Sequence, residues 1–107
     1  MDKKNNSKDD LFKNAVKTLC KHENISTKKI RFTTFENFIA INIKNNSKDG
    51  LDIECFKIIN IIFNLIGSTR TQFKQTLFTI PNSQQIDKIQ ITFKIEEYNN
   101  LSKIFIQ

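Results

Sequence analysis

The chain has few of the residues that typically build enzyme sites. Its 107 residues include no tryptophan, one histidine, one proline and only two glycines, Gly50 and Gly67. Two isolated glycines cannot form a glycine-rich phosphate loop, and the sequence contains neither a G-x-S-x-G nor an H-E-x-x-H motif. We therefore expect no catalytic activity and no cofactor.

Cysteine is also scarce. Cys20 and Cys55 are far apart and form no C-x-x-C pair, which predicts a reducing compartment without a disulfide framework. Cys20 and His22 offer two possible metal ligands, whereas a zinc site needs three or four. We expect both cysteines to pack in the core and no metal to bind.

Long apolar runs and paired acids are missing as well. The most apolar run, residues 58–66, is interrupted by Asn60 and Asn64 and is too short for the roughly 20 residues of a membrane span. Glu96 and Glu97 are adjacent, and on an extended strand they would point to opposite faces. They are therefore not expected to act as an acid and base pair.

Positive charge is what the chain has in excess. The net charge is +6 and the isoelectric point is about 9.5, which favours a polyanionic partner. Residues 1–36 hold nine Lys and Arg against five Asp and Glu, a sum of +4, while the rest holds eight against six, a sum of +2. We interpret residues 1–36 as a basic N-terminal extension.

Hydrophobic periodicity predicts the elements. Apolar spacing predicts a helix over 10–22, with Lys13, Lys17 and Lys21 along one face that either is solvated or contacts RNA. An irregular strand is predicted over 28–35 and a clearer one from Phe38 to Lys44. A turn over 45–50 and an apolar helix that ends before Gly67 follow.

A hairpin over residues 74–95 is the clearest pattern in the chain. Lys74 to Ile80 alternates, Pro81 stops the strand because it has no N–H, and a polar loop follows. From Lys88 alternation resumes, with Ile89, Ile91, Phe93 and Ile95 on one face and Lys88, Gln90, Thr92 and Lys94 on the other.

This hairpin resembles that of the small-subunit ribosomal protein S-ten family in its mitochondrial form. The run Lys74, Gln75, Thr76, Leu77, Phe78 and Thr79 is similar to the family's K-Q-T-L-Y-T. Ser83, Ile86, Asp87 and Lys88 follow in register, and Phe93, Ile95, Leu101 and Ile104 fall at its hydrophobic positions. The resemblance covers residues 37–107, which we treat as the family-like domain.

The resemblance implies an α+β, ferredoxin-like ribosomal-protein fold of strand, helix and long hairpin, truncated at the C-terminus, without the family's second helix and last strand. It implies a structural constituent of the mitochondrial small ribosomal subunit, in the mitochondrial matrix, that contacts ribosomal RNA and neighbouring ribosomal proteins in the subunit head. Asn82 and Gln85 replace the family's Arg and His, so the hairpin is expected to act as a wedge with fewer RNA contacts.

The candidate RNA-binding residues come from the hairpin and from the extension. In the hairpin and at its base they are Arg70, Lys74, Gln75, Thr76, Ser83 and Lys88; in the extension they are Lys13, Lys17, Lys28, Lys29 and Arg31. Arg70 has the alternative role of a solubilising surface residue. Phe73, Phe78 and Tyr98 are expected to pack against protein rather than to stack on bases.

A second interpretation is a small α+β interaction module of the roadblock type. Its helix, hairpin, helix and three-strand unit would dimerise through a sheet edge or a helix face. Such a module should fold alone as a salt-insensitive dimer, whereas a ribosomal component should bind RNA with a steep salt dependence.

Overall fold

The computed structural model describes residues 10–67 and 69–105. Within these ranges the helices are α1 (Leu11–His22), α2 (Ile53–Ile66) and α3 (Ile95–Lys103), and a 3-10 turn covers Thr27–Lys29. The strands are β1 (Ile30–Phe35), β2 (Phe38–Lys44), β3 (Lys74–Thr79) and β4 (Ile86–Lys94).

The four strands form one antiparallel sheet in the order β1-β2-β4-β3. Strands β2 and β3 are joined through α2, and β4 lies between them. This is a split β-α-β arrangement. The outer position beside β2 is occupied by β1, which comes from earlier in the chain. The expected α+β class is therefore confirmed, with the sheet completed among the described residues by a strand that precedes β2.

One face of the sheet, the inner face, carries the core. Ile41 and Ile43 of β2 and Ile89, Ile91 and Phe93 of β4 are all essentially inaccessible to solvent. Alternation along each strand places these residues on the same side, and the buried helix residues join them in one cluster. Burying a side chain of this size stabilises the fold by about 1.5–3 kcal/mol.

Helix α1 packs on the inner face through residues four apart. Phe12, Val16 and Cys20 are fully buried, and the Phe12 ring meets Phe93 and Tyr98 edge to face at centroid distances of 6.2 and 5.9 Å. The boundary predicted near residue 37 lies in the turn between β1 and β2. Described residues on both sides of it share one core, while residues 1–9 of the predicted extension lie outside the described residues.

Helix α2 has a defined start and end. The Asp52 carboxylate accepts a hydrogen bond from the Cys55 backbone N–H at 2.7 Å, an N-cap that satisfies one of the free donors of the first turn. At the other end Gly67 has a φ of 44°, and a Cβ there would lie 3.0 Å from the Asn64 carbonyl oxygen. Glycine therefore suits the helix end, as the sequence predicted.

The predicted hairpin is present as β3 and β4. It does not project from the molecule, because β4 also pairs with β2 and the two strands form half of the sheet. Only the tip, residues 80–85, extends past the paired residues. The tip is closed by hydrogen bonds from the Ile80 N–H to the Gln85 carbonyl and from the Ser83 N–H to the Ile80 carbonyl, at 2.9 and 3.0 Å.

Residues after β4 form helix α3, whereas the sequence analysis expected no second helix in the family-like domain. That detail was wrong. Glu96 and Glu97 lie in the first turn of α3, where carboxylates are favoured by the helix dipole, and Tyr98, Leu101 and Ser102 are buried at helical spacing. The Ile95 N–H donates to the Asn37 carbonyl at 2.8 Å, which ties the helix start to the β1-β2 turn.

Candidate nucleic-acid interface

The second face of the sheet, the open face, lies opposite the helices that the structure describes. Alternation and register assign it the residues that do not point into the core. They are Arg31, Thr33 and Phe35 of β1; Phe38, Ala40, Asn42 and Lys44 of β2; Lys88, Gln90, Thr92 and Lys94 of β4; and Lys74, Thr76 and Phe78 of β3.

A concave cavity of about 630 Å³ occupies the β1, β2 and β4 part of the open face. Five of its described lining residues are basic, and none is acidic. The lining consists of Lys28, Lys29, Arg31, Thr33, Phe35, Asn42, Lys44, Asn46, Lys88 and Gln90. A concave surface with a single sign of charge concentrates ligands of the opposite sign, so the cavity is suited to an anion.

The floor of the cavity is a row of hydrogen-bonded polar side chains. Gln90 Nε2 donates to Asn42 Oδ1 at 2.9 Å, and Asn42 Nδ2 donates to Thr33 Oγ1 at 3.3 Å. Thr92 Oγ1 donates to Gln90 Oε1 at 3.3 Å. This row crosses β4, β2 and β1 and orients both amides, so their remaining donors and acceptors are held for a ligand.

Lys29 forms two salt bridges within the chain. Its Nζ lies 3.1 Å from both Asp52 Oδ2 and Glu54 Oε1. Burial opposes the charge on Lys29, but the hydrogen bonds and charges of these two carboxylates raise the pKa of the amine. Because two carboxylates already neutralise its charge, Lys29 is better suited to anchoring the 3-10 turn to α2 than to neutralising a phosphate.

Asp52 is the centre of that anchor. Burial alone would raise the pKa of the carboxyl, but the N–H groups of Asn46 and Cys55 and the amine of Lys29 bind its ionised form and lower the pKa. Asp52 is partly buried and its neighbour Asn45 is buried, and the Asn45 amide forms hydrogen bonds with the backbone around the loop that leads into α2. The loop beside the cavity is therefore firmly held.

Lys28, Arg31 and Lys88 are the cavity's uncompensated cations. No acidic group among the described residues lies within 4.0 Å of their side-chain nitrogens, whereas Lys44 lies 3.4 Å from Asp87. The Lys88 amine sits 5.1 Å from the centre of the Phe78 ring, a cation–π contact that leaves its charge in place. These three residues are the positive charges most available to a bound anion.

Aromatic side chains lie on the same open face, at the end near the β1-β2 turn. Phe35 and Phe38 are cross-strand partners whose rings stack at 5.8 Å with an interplanar angle of 29°. Phe35 lines the cavity and is 46% exposed. An exposed ring on the same face as cations and amides offers the three contacts that single-stranded nucleic acids make with protein, namely stacking, phosphate neutralisation and hydrogen bonding to base edges.

The structure brings some of the predicted RNA-binding residues together and separates others. Lys28, Lys29, Arg31 and Lys88 line the cavity, and Lys74 and Thr76 lie on the same open face. The remaining candidates lie elsewhere: Lys13 and Lys17 on α1, Gln75 on the inner side of edge strand β3, Arg70 in the loop before β3, and Ser83 in the hairpin tip.

Two of these outlying residues have local contacts instead. The Lys13 amine lies 5.4 Å from the centre of the Phe32 ring, and the Ser83 hydroxyl accepts a hydrogen bond from the Gln85 N–H at 2.9 Å. Arg70 has a φ of 64°, an uncommon conformation for a residue with a side chain.

The sequence analysis missed several residues of the site. Gln90 was assigned to one face of its own strand, and Asn42 and Lys44 were placed in another predicted strand. Their common surface depends on the pairing of β2 with β4. Thr33, Phe35 and Phe38 were missed because β1 was assigned to the N-terminal extension and β2 to the family-like domain, whereas the two strands form one hairpin. The sequence signal that could have identified these residues was the alternation of inward and outward side chains in each strand.

The sequence analysis also predicted that three aromatic residues and both cysteines pack against protein. Tyr98 is buried against Phe12 and Phe93, and the Phe73 ring lies 5.5 Å from that of Phe63. Both contact protein as expected, whereas Phe78 lies on the open face. The two cysteines are buried and unpaired.

No match was found when the chain was compared with protein-family models, with curated proteins and with solved structures. Over residues 10–67 and 69–105, no group of three or more His, Cys, Asp and Glu side chains is placed to hold a metal ion. No helix in that part of the chain combines the length and the apolar character needed to cross a bilayer.

Proposed function

We propose that the chain binds RNA through the open face of its sheet, as a structural constituent of the small ribosomal subunit of a mitochondrion. The observation that supports RNA binding is the cavity with five basic residues, no described acidic lining residue and an exposed aromatic ring. The assignment to the ribosomal subunit is supported by the resemblance of residues 37–107 to the S-ten family.

The charges set the expected character of binding. Each cation that neutralises a phosphate releases a condensed counterion, so affinity falls with salt by about 0.7 logarithmic units per contact on a single strand for each tenfold rise in salt. With Lys28, Arg31 and Lys88 as phosphate contacts, the slope is about −2. Lys74 and Lys94, at the far side of the open face, add to this slope if the RNA extends across the sheet.

The test of RNA binding compares two triple variants of the full chain. Lys28→Ala, Arg31→Ala and Lys88→Ala together remove three positive charges from the cavity. Lys21→Ala, Lys57→Ala and Lys103→Ala together remove three exposed positive charges from the helices. We expect the first variant to lose most of its affinity for a fragment of mitochondrial small-subunit RNA and most of its salt dependence. Equal losses in both variants would show that binding depends on net charge alone and contradict the proposed interface.

The ribosomal assignment has a separate test. A tagged chain expressed in its own cells should sediment with the small subunit when a mitochondrial lysate is separated on a sucrose gradient. The cavity variant should shift toward the top of the gradient, and the helix variant should not. Recovery of the unaltered chain only at the top of the gradient would contradict this assignment without contradicting RNA binding.

A dimerising interaction module is the second candidate, and the order of elements favours it. Among the described residues the order is a helix, a hairpin, a helix, a pair of strands and a helix. The second group of strands has two members, whereas the module expected from the sequence has three. Edge strand β3 has an open hydrogen-bonding side and Leu77, which is 49% exposed. Sedimentation equilibrium at high salt distinguishes the two: a salt-insensitive dimer that does not bind RNA supports the module.

A further inference from the structure

The two ends of the open-face cavity carry different chemical groups. Lys44 and Lys88 lie at one end, the Asn42 and Gln90 amides form its floor, and the stacked Phe35 and Phe38 rings lie at the other end, near the β1-β2 turn. We propose that this cavity binds a single-stranded segment of RNA, with one base stacked on Phe35 and phosphates further along the strand on Arg31 and Lys28. This inference rests on the proposed RNA-binding function and names the form of RNA that the site takes.

The size of the cavity supports a single strand. Pockets that enclose small molecules have volumes of roughly 300–1,000 Å³, and this cavity, at about 630 Å³, falls in that range. A concavity of this size admits one or a few nucleotides that leave their stack. An RNA double helix presents a wide and rigid surface, whose bases cannot enter without being unpaired.

The chemistry of the floor points the same way. Duplex RNA is recognised mainly through phosphates and 2′-hydroxyls, for which lysines and arginines suffice. Asn42 and Gln90 instead hold amide donors and acceptors in fixed orientations, and each amide group retains a second N–H beyond the bond already made. Such groups match the edges of unpaired bases, while Phe35 matches their faces.

Phe35 supplies the contact that distinguishes the two forms of RNA. Its ring is 46% exposed although it is stacked on Phe38, so one part of its surface is free for a base. The cation nearest in sequence on the same face is Arg31, four residues earlier on β1, and Thr33 lies between them. Ring, hydroxyl and guanidinium therefore follow one another along the open side of β1.

The absence of tryptophan allows a direct test on the full chain. Phe35→Trp places the only tryptophan at the proposed stacking position. Phe56→Trp places it on α2 at a residue that is 57% exposed and lies away from the open face. A mixed-sequence RNA decamer is added as a single strand or annealed to its complement. We expect the single strand to quench Phe35→Trp strongly and Phe56→Trp little, since only a stacked base meets the indole face.

Affinity measured by anisotropy with the same labelled decamer completes the test. Loss of one stacked base should weaken single-strand binding by roughly 5- to 100-fold in Phe35→Ala, with little change in duplex binding. Phe56→Ala is the matched control, and circular dichroism establishes that each variant is folded. Quenching of Phe35→Trp confirms the contact independently if Phe35→Ala is unstable.

The outcomes separate this inference from the proposed function. Tighter binding of the single strand, with quenching confined to Phe35→Trp, supports it. Equal or tighter binding of duplex that still requires Arg31 and Lys88 overturns the single-strand inference and leaves RNA binding in place. Failure of both RNA forms to bind overturns the proposed function as well.

Discussion

The two faces of the sheet use the same strands for different purposes. On the inner face Ile41, Ile91 and Phe93 are sealed from solvent by three helices, and on the open face their sequence neighbours Asn42, Gln90 and Lys94 carry polar or charged groups. Each strand therefore contributes to stability with every second residue and to surface chemistry with the others. Substitutions should separate these two roles, because a change on one face leaves the other in place.

Truncating the inner face should have the largest effect. Phe93→Ala removes a ring that meets Phe12 and Tyr98 edge to face, and the loss of burial together with the cavity left behind costs about 3–5 kcal/mol of unfolding free energy. The adjacent open-face change, Thr92→Ala, should cost under about 1 kcal/mol. Urea unfolding measures both, and similar losses would show that the open face is also packed against another part of the protein.

The thiols provide a chemical measure of the inner face. Burial, aided by the charge of Asp52, raises the pKa of Cys55 from 9.0 to about 11, and burial raises the pKa of Cys20 as well. At pH 8 the thiolate fraction of Cys55 is thus about 100-fold below that of an ordinary cysteine. Iodoacetamide should modify it at least that much more slowly in the folded protein than in urea.

A matched variant keeps this thiol experiment specific. Thr33→Cys places a cysteine on the open face, in the cavity lining. That thiol should react rapidly in the folded protein while Cys20 and Cys55 remain protected, as mass spectrometry of the modified peptides would show. Rapid labelling of Cys55 under the same conditions would mean that α2 opens readily from the inner face.

The Asp52 anchor beside the cavity should have an intermediate effect that depends on pH. Asp52→Ala removes the cap of α2 and the bonds to the Asn46 N–H and the Lys29 amine, at a cost of about 1–3 kcal/mol. Because the pKa of Asp52 is lower in the folded chain than its ordinary 3.8, its stabilisation is complete well above that value and is lost as the pH falls through the folded pKa.

Urea midpoints measured at pH 6 and pH 3 test this dependence. The difference in stability between the unaltered chain and Asp52→Ala should be large at pH 6 and smaller at pH 3. Asp49→Ala, which changes an exposed acid in the same loop, is the control and should show little difference at either pH. A constant difference at both values would exclude the charge of Asp52 as its source of stabilisation.

Single cations should have the smallest effects. Arg31→Ala should weaken binding of single-stranded RNA by about fivefold and reduce the salt slope by about 0.7, since one phosphate contact is lost. Lys17→Ala, on α1 and away from the open face, should change neither quantity. Filter binding between 50 and 200 mM salt measures both, and a larger effect at Lys17 would move the interface to the helical side.

The alternation of single strands was readable without the structure. Ile89, Ile91 and Phe93 were correctly assigned to one face and Lys88, Gln90 and Thr92 to the other, because a strand's period of two depends only on local geometry. The end of α2 at Gly67 was readable for a similar reason. The helix over Ile95–Lys103 was not predicted from the sequence. The alternation of strand β4 extends to Ile95, so the acidic residues that follow were not read as the first turn of a helix.

The site itself required the tertiary arrangement. Arg31 and Lys88 are 57 positions apart by their residue numbers, and they line one cavity only because β2 pairs with β1 on one side and β4 on the other. Spacing within one strand does not tell which distant strand it pairs with; the hydrophobic pattern and the turns fix the register once the strands meet in the sheet. Lys13 and Lys17 lie on α1, on the helical side of the sheet.

The sequence by itself determined the charge, the α+β class and which residues of each strand share a face, since these follow from composition and local periodicity. Tertiary structure decided that the edge position beside β2 is filled by β1, and that Lys29 is matched by Asp52 and Glu54 while Lys28 and Arg31 are not. The reason is physical: strand pairing and ion pairing join residues distant in sequence, and their energies depend on which groups the folded chain brings within contact.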